Sequence, residues 1–194
     1  MSTGFIIDIN SLIFPLIIIL IILTISKIKN RSPIQKLIFY CIVTIYLHLL
    51  IGITLFPFHI YYSGNKLFHD IGSNINLIPF FTAFNEIVNY NRRLFAYIIL
   101  RNYIGNILLF IPMGFLLPLL KPSSINLKKA VLYGFCISLS IESTQLVVSL
   151  FLSSYMKIFD IDDLIFNIIG MVVGYIIFNL SKNIFNYNKW GFNV

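Results

Sequence analysis

The chain has 194 residues, 58% of them hydrophobic and 11% charged, too little polar surface to cover a water-soluble fold. A net charge of +7 would suit nucleic acid, but the basic residues are dispersed at the ends of apolar runs and form no binding stripe, so no nucleic-acid partner is expected. Apolar runs near the roughly 20 residues that cross a bilayer recur, and alternating barrel segments of about ten residues are absent. The fold class is therefore an all-α membrane protein, a single integral domain over residues 1–194.

In chain order, the first run covers Phe5 to Ser26. No basic residue precedes it and no small-residue cleavage site follows, so it reads as a retained helix. The second runs from Leu37 to Phe56 and stops at Pro57. The third spans Ala96 to Leu120, the fourth Ala130 to Leu152, and the fifth Leu164 to Leu180, the shortest of the set. Cys41 and Cys136 lie inside apolar runs as buried, inert thiols. No disulfide framework, metal-ligand spacing or cofactor motif is visible.

Charge sets the expected orientation. Lys27, Lys29, Arg31, Lys36, Lys121, Lys128, Lys129, Lys182 and Lys189 fall on one side, which should be cytoplasmic. The other side holds Lys66, Arg92, Arg93, Lys157 and, just inside helix three, Arg101. The N-terminus is then outside and the C-terminus inside. The acids Asp8, Asp70, Glu86, Asp160, Asp162 and Asp163 all fall on the outer side. The long connection between helices two and three is extracellular, and Phe80, Phe81, Phe84, Ile87 and Val88 share one helical face after Pro79. That pattern predicts an interfacial helix lying flat on the membrane.

Ionisable groups at mid-helix in a membrane cost about 2.5–3.5 kcal/mol each, so each asks for a partner or a wet cavity. Helix four places Ser138, Glu142 and Gln145 on one face, with Glu142 about 15 Å below the outer helix end, near the midplane. Helix three carries Arg101, Asn102 and Asn106, with Arg101 the natural partner for Glu142, directly or through water; Pro112 should kink the same helix. Helix five opens with Asp160, Asp162 and Asp163 and then aligns Asp163, Asn167, Gly170 and Gly174 on one face. The two glycines form a small-residue seam for close helix approach. The acidic triplet fits helix capping better than metal binding, with both readings open. His48 reads as a hydrogen-bonded packing residue.

The same residues resemble the VanZ family of bacterial membrane proteins. The resemblance runs from Asn76 to Gly174 and rests on Asn76-x-x-Pro79-Phe80, on Arg101, Asn106, Phe110, Pro112 and Gly114 in helix three, on Ser138, Glu142 and Gln145 in helix four, and on Asp160-Ile161-Asp162-Asp163 with Asn167, Gly170 and Gly174. The family usually has Arg three residues before the first Asp of the cluster; this chain has Lys157, which keeps the charge but loses bidentate pairing. The resemblance implies a multi-pass protein of the bacterial plasma membrane, associated in the namesake with low-level resistance to the lipoglycopeptide teicoplanin. It brings no established reaction.

Three functions follow. The first is a cell-envelope protein that lowers glycopeptide action through an outward-facing polar intramembrane site, with membrane lipids, lipid-linked cell-wall intermediates or the lipoglycopeptide as partners. The second is a hydrolase or transferase acting on a lipid head group, with Glu142 as acid/base beside Arg101 and Asp163 as the further catalytic candidates. Around them Asn76, Asn102, Asn106, Gln145, Lys157, Asp160, Asp162 and Asn167 form a substrate-binding or structural polar cluster. The third, a proton-coupled carrier titrating at Glu142, is disfavoured by the lack of an internal repeat.

Overall fold

The computed structural model describes residues 4–30, 34–61, 75–81, 84, 96–97, 99–120, 124–151 and 159–182. Among the described residues, five helical segments are long and apolar enough to cross a membrane: Ile9–Lys29, Ile34–Leu55, Ile99–Leu120, Leu127–Leu150 and Ile161–Ser181. Their α-helical parts are α1 (Ile13–Asn30), α2 (Ile34–Leu55), α3 (Gly105–Leu120), α4 (Leu127–Phe151) and α5 (Ile161–Ser181).

Several helix starts differ from expectation, α2 among them, which begins at Ile34 and not Leu37. Residues Gly4–Ile7 form strand β1, paired antiparallel with β2 (Phe58–Tyr61), and a 3₁₀ turn over Ile9–Leu12 leads into α1. Asp8 caps that turn, accepting from the Asn10 backbone N–H at 2.8 Å. A short apolar run carries no periodicity that separates strand from helix, so the sequence extends helix one too far toward the N-terminus. Helix α4 starts earlier than expected because Asn126 caps it, its Oδ1 accepting from the Lys129 N–H at 2.9 Å. Helix α5 also starts earlier, with Asp160 as its N-cap, so Asp162 and Asp163 lie in its first turn. At 21 residues it is not the short helix the sequence suggested.

Helix α3 is preceded without a break by a π-helical turn over Ile99–Ile104 and continues through Pro112 and Pro118. Proline withholds an N–H from the carbonyl four residues back. One residue beyond that Leu108 carbonyl, the Tyr46 hydroxyl donates to the Leu109 carbonyl at 2.8 Å, tying α2 to α3 beside the proline.

Helices α3 and α5 run parallel and pack most closely. A Cβ built on Gly170 would lie 3.0 Å from the Ile107 carbonyl carbon, and one on Gly174 would lie 2.9 Å from the Gly114 Cα. On Gly114 it would lie 2.9 Å from the Met171 carbonyl carbon. The seam on helix five thus meets backbone, and the glycine of the Pro112-x-Gly114 stretch belongs to it. Helix α4 crosses α5 in the opposite sense, with Gly134 against Met171. The core fills in two layers. Leu50, Phe110, Met113 and Met171 form one, and Phe39, Val43, Leu116, Leu119 and Phe178 the other. Helix α1 contributes no buried residue to its most apolar stretch and flanks α2, its isoleucines outward as a lipid-facing helix requires.

The two cysteines correct the sequence reading. Both lie within spans, but Cys41 is only partly buried and Cys136 is exposed on the helix surface. The His48 ring bonds the Thr44 carbonyl one turn back, at 2.9 Å, as a packing histidine would. Of the expected interfacial helix, only its start is described. Phe81 and Phe84 are exposed, with the Phe84 N–H on the Phe80 carbonyl at 2.8 Å, and Ile87 and Val88 lie outside the described residues.

Candidate functional site

The site forms where the first turn of α5 enters the bundle. Immediately before it, Phe159–Asp160 form strand β4, which pairs in parallel with β3 (Ile75–Asn76). This bridge places Asn76 beside Asp160, and Asn76 Nδ2 donates to Asp160 Oδ1 at 3.2 Å. The same Oδ1 accepts from the Asp162 N–H at 2.9 Å, the capping contact of α5. The backbone N–H of Asp160 in turn donates to Glu142 Oε2 on α4 at 3.1 Å. A chain of polar contacts therefore joins the 76–80 segment, the α5 cap and α4. Non-helical backbone at this depth is tolerated because side chains satisfy it.

Asp162 points the other way and is 1% exposed. Its two oxygens accept from the Phe80 N–H at 2.9 and 3.1 Å, and Oδ2 also accepts from the Tyr103 hydroxyl at 3.0 Å. Phe80 has φ of 61°, a left-handed conformation that costs a non-glycine residue about 1–2 kcal/mol. The carboxylate holds it there, helped by edge-on packing of the Phe80 ring on Tyr103 and Phe166. The Asn76-x-x-Pro79-Phe80 segment is thus a latch: Asn76 engages Asp160, and Phe80 engages Asp162. Tyr103 has no signal in the sequence, because the π-helical turn around it breaks the 3.6-residue spacing from which helical faces are read.

Asp163, Asn167, Asn106, Asn102, Arg101, Gln145 and Glu142 converge on a cavity of about 770 Å³ walled by α3, α4, α5 and the end of α2, with Asp160 at its edge. Asn106 Nδ2 donates to Asp163 Oδ1, joining α3 to α5 at 2.6 Å. Asn167 Nδ2 donates to Ser138 Oγ on α4 at 2.9 Å. Gln145 Nε2 donates to the Thr54 carbonyl near the end of α2 at 2.7 Å. Asn167 is 3% exposed, and its Oδ1 is the one buried side-chain polar atom left without a hydrogen-bond partner among the described residues.

One expectation changes. Arg101 lines the cavity with Glu142 but does not pair with it; its Nη1 donates to the Tyr97 hydroxyl at 3.1 Å, and the guanidinium carbon lies 5.8 Å from that ring's centroid. One helical turn back along its own helix, Tyr97 offers a near partner that the sequence spacing of four allows. Glu142 is 1% exposed, and its position can be referred to α2 as well as to the end of α4. Gln145 is level with the next-to-last residue of α2, so Glu142 lies about one turn, ~5 Å, below that helix end, and α4 overshoots its neighbours.

Lys157 lies outside the described residues. No group of three His, Cys, Asp or Glu among the described residues has metal-holding geometry. All three carboxylates accept hydrogen bonds, Asp160 and Asp162 from backbone and side-chain donors and Asp163 from Asn106, and of the three Asp160 and Asp163 line the cavity.

Neither curated proteins nor solved structures give a match to the chain. A protein-family model described as VanZ/LLP1 matches residues 42–182, which extends the resemblance seen from Asn76 to Gly174 to α2 on one side and to the end of α5 on the other. That stretch contains the latch and every wall of the polar cavity, and the chain belongs to the VanZ/LLP1 family.

Proposed function

We propose that the chain is a multi-pass protein of a bacterial plasma membrane whose polar cavity engages outward-facing lipid-linked envelope material, and that this engagement contributes to lipoglycopeptide resistance of the teicoplanin type. The carrying observation is the cavity of about 770 Å³ at the acidic end of the bundle. Its wall combines the Arg101 guanidinium, the Asp163 and Glu142 carboxylates and the Asn102 and Asn106 amides. A volume of this size is that of a small-molecule site, and convergent polar groups give it the means to orient a head group. Expression in a glycopeptide-susceptible host tests the reading. The parent chain should raise the inhibitory concentration of teicoplanin, and Arg101→Ala and Asp163→Ala should lose the effect at equal membrane abundance. Unchanged susceptibility on both expression and deletion would remove the reading.

Glu142 favours a second reading, a hydrolase or transferase acting on a lipid head group. A carboxylate 1% exposed on a cavity wall is placed for acid/base work. Glu142→Gln keeps an acceptor for the Asp160 N–H, so the variant should insert and fold. Lipid turnover by the parent that stops in Glu142→Gln supports catalysis. Full protection by Glu142→Gln with no turnover by either protein supports binding alone.

A further inference from the structure

A second cavity, of about 430 Å³, lies between α2 and α4. Leu47, Leu50, Ile51 and Ile137 wall it, and Thr54 and Ile141 belong to both cavities. Its three hydroxyl residues are apolar in effect. Thr54 donates to the Leu50 carbonyl, Ser140 to the Cys136 carbonyl and Thr144 to the Ser140 carbonyl, each at 2.7 Å. With those hydroxyls turned onto their own helices, the lining offers hydrocarbon to an occupant. From the shared wall at Thr54 and Ile141, this cavity extends along α2 to Leu47 and along α4 to Cys136, away from the acidic end.

We propose that the two cavities are one site for a phosphate-bearing amphiphile, with a single acyl chain between α2 and α4 and its head group in the polar cavity. The inference rests on the lipid-engaging reading above and adds the ligand class and its pose. In the head compartment, Arg101 is the group for a phosphate: it spends one N–H on Tyr97 and has further donors at the cavity wall. Asp163 and the unpartnered Asn167 Oδ1 are acceptors, so the head group supplies N–H or O–H donors. Phosphatidylethanolamine and phosphatidylglycerol both meet that description. Phosphatidylcholine, whose trimethylammonium has no donor, does not. An apolar groove on a membrane helix bundle usually holds unselected bulk lipid. Here the wall it shares with a polar chamber at Thr54 and Ile141 distinguishes it from the groove along α1 at Ile17, Ile21 and Ile25, whose lining has no polar residue beyond Thr24.

The test uses the full chain in lipid nanodiscs with single-chain phosphatidylethanolamine, phosphatidylglycerol and phosphatidylcholine probes bearing a diazirine on the acyl chain. Crosslinks should map to the Leu47–Thr54 and Cys136–Thr144 stretches above the level on α1, for the first two probes over the third. Equal labelling by those two assigns recognition to the phosphate and donors, and labelling by one alone names the head group. Ile137→Trp, or Leu47→Trp from the facing helix, should fill the tail compartment and reduce this labelling by roughly tenfold. Arg101→Ala should do so from the head compartment, each variant being checked for intact helicity and monodispersity. Labelling as strong on α1 as between α2 and α4, or equal use of phosphatidylcholine, overturns the proposal. Loss in Arg101→Ala with both tryptophan variants unaffected overturns the tail assignment and spares the head-group reading. Indifference to all three variants overturns both.

Discussion

Asp162 and Glu142 are both almost fully buried carboxylates, and their partners separate their roles. Asp162 has no place on the cavity wall; its oxygens hold Phe80 in a left-handed conformation and accept from Tyr103. Asparagine there would retain one acceptor oxygen and turn an NH₂ toward groups that are already donors. Hydrogen bonds to charged groups are worth about 1.5–3 kcal/mol each, so Asp162→Asn should lower stability by about that much. Tyr103→Phe removes one donor and should cost about 1 kcal/mol. Unfolding midpoints in detergent check both, and an Asp162→Asn protein as stable as the parent would break the latch description. Glu142→Gln should lie much nearer the parent, because an amide oxygen can still accept from the Asp160 N–H. A large functional loss without a stability loss at Glu142 would then report on chemistry or binding.

At the scale of elements, the close approach of α3 and α5 is what brings Asn106 to Asp163 and closes one side of the cavity. Ala at Gly170 or Gly174 would press a methyl into facing backbone, which cannot turn aside as a side chain can. Each substitution should destabilise by about 1–3 kcal/mol and loosen the cavity wall. Gly134→Ala meets Met171 Cβ and Cγ at 3.0–3.1 Å, a contact that a shift of a few tenths of an ångström relieves, and should cost clearly less. Thermal unfolding of the three variants tests the ordering; a Gly134→Ala protein less stable than Gly174→Ala would contradict it. The Gly170 and Gly174 seam was readable from spacing alone, as were the polar faces of helices three, four and five, because residues three and four apart must share a helix face. Spacing could not say which faces meet, so Asn167 with Ser138 and Asp160 with Glu142 emerged only from packing. Arg101 with Glu142, the pairing that charge alone suggests, gave way to Tyr97 on the same helix. The strand at Gly4–Ile7 escaped because four apolar residues carry no usable period.

For the whole molecule, the proposed role depends on which way the bundle stands in the membrane. Lys27, Lys29, Lys36, Lys128, Lys129 and Lys182 lie at one end of the bundle, and the latch, Asp160, Asp162, Asp163 and the cavity lie at the other. By the positive-inside rule, we propose that the cavity faces outward, as engagement of lipid-linked envelope material requires. Gln145 bonds the Thr54 carbonyl at the end of α2, and Glu142 lies one turn further along α4, so the cavity opens near the end of the bundle. Two exposed positions test the orientation in a Cys41→Ser, Cys136→Ser background. Asn10→Cys, at the cavity end, should react with a membrane-impermeant maleimide in intact cells, while Ser124→Cys, in the α3–α4 connection, should react only after permeabilisation. The reverse pattern would turn the cavity to the cytoplasm. The fold, latch and family membership would stand, but the resistance role would have no route to its ligand. Labelling of both positions in intact cells would mean dual insertion, and half of the molecules would then present the site to each leaflet.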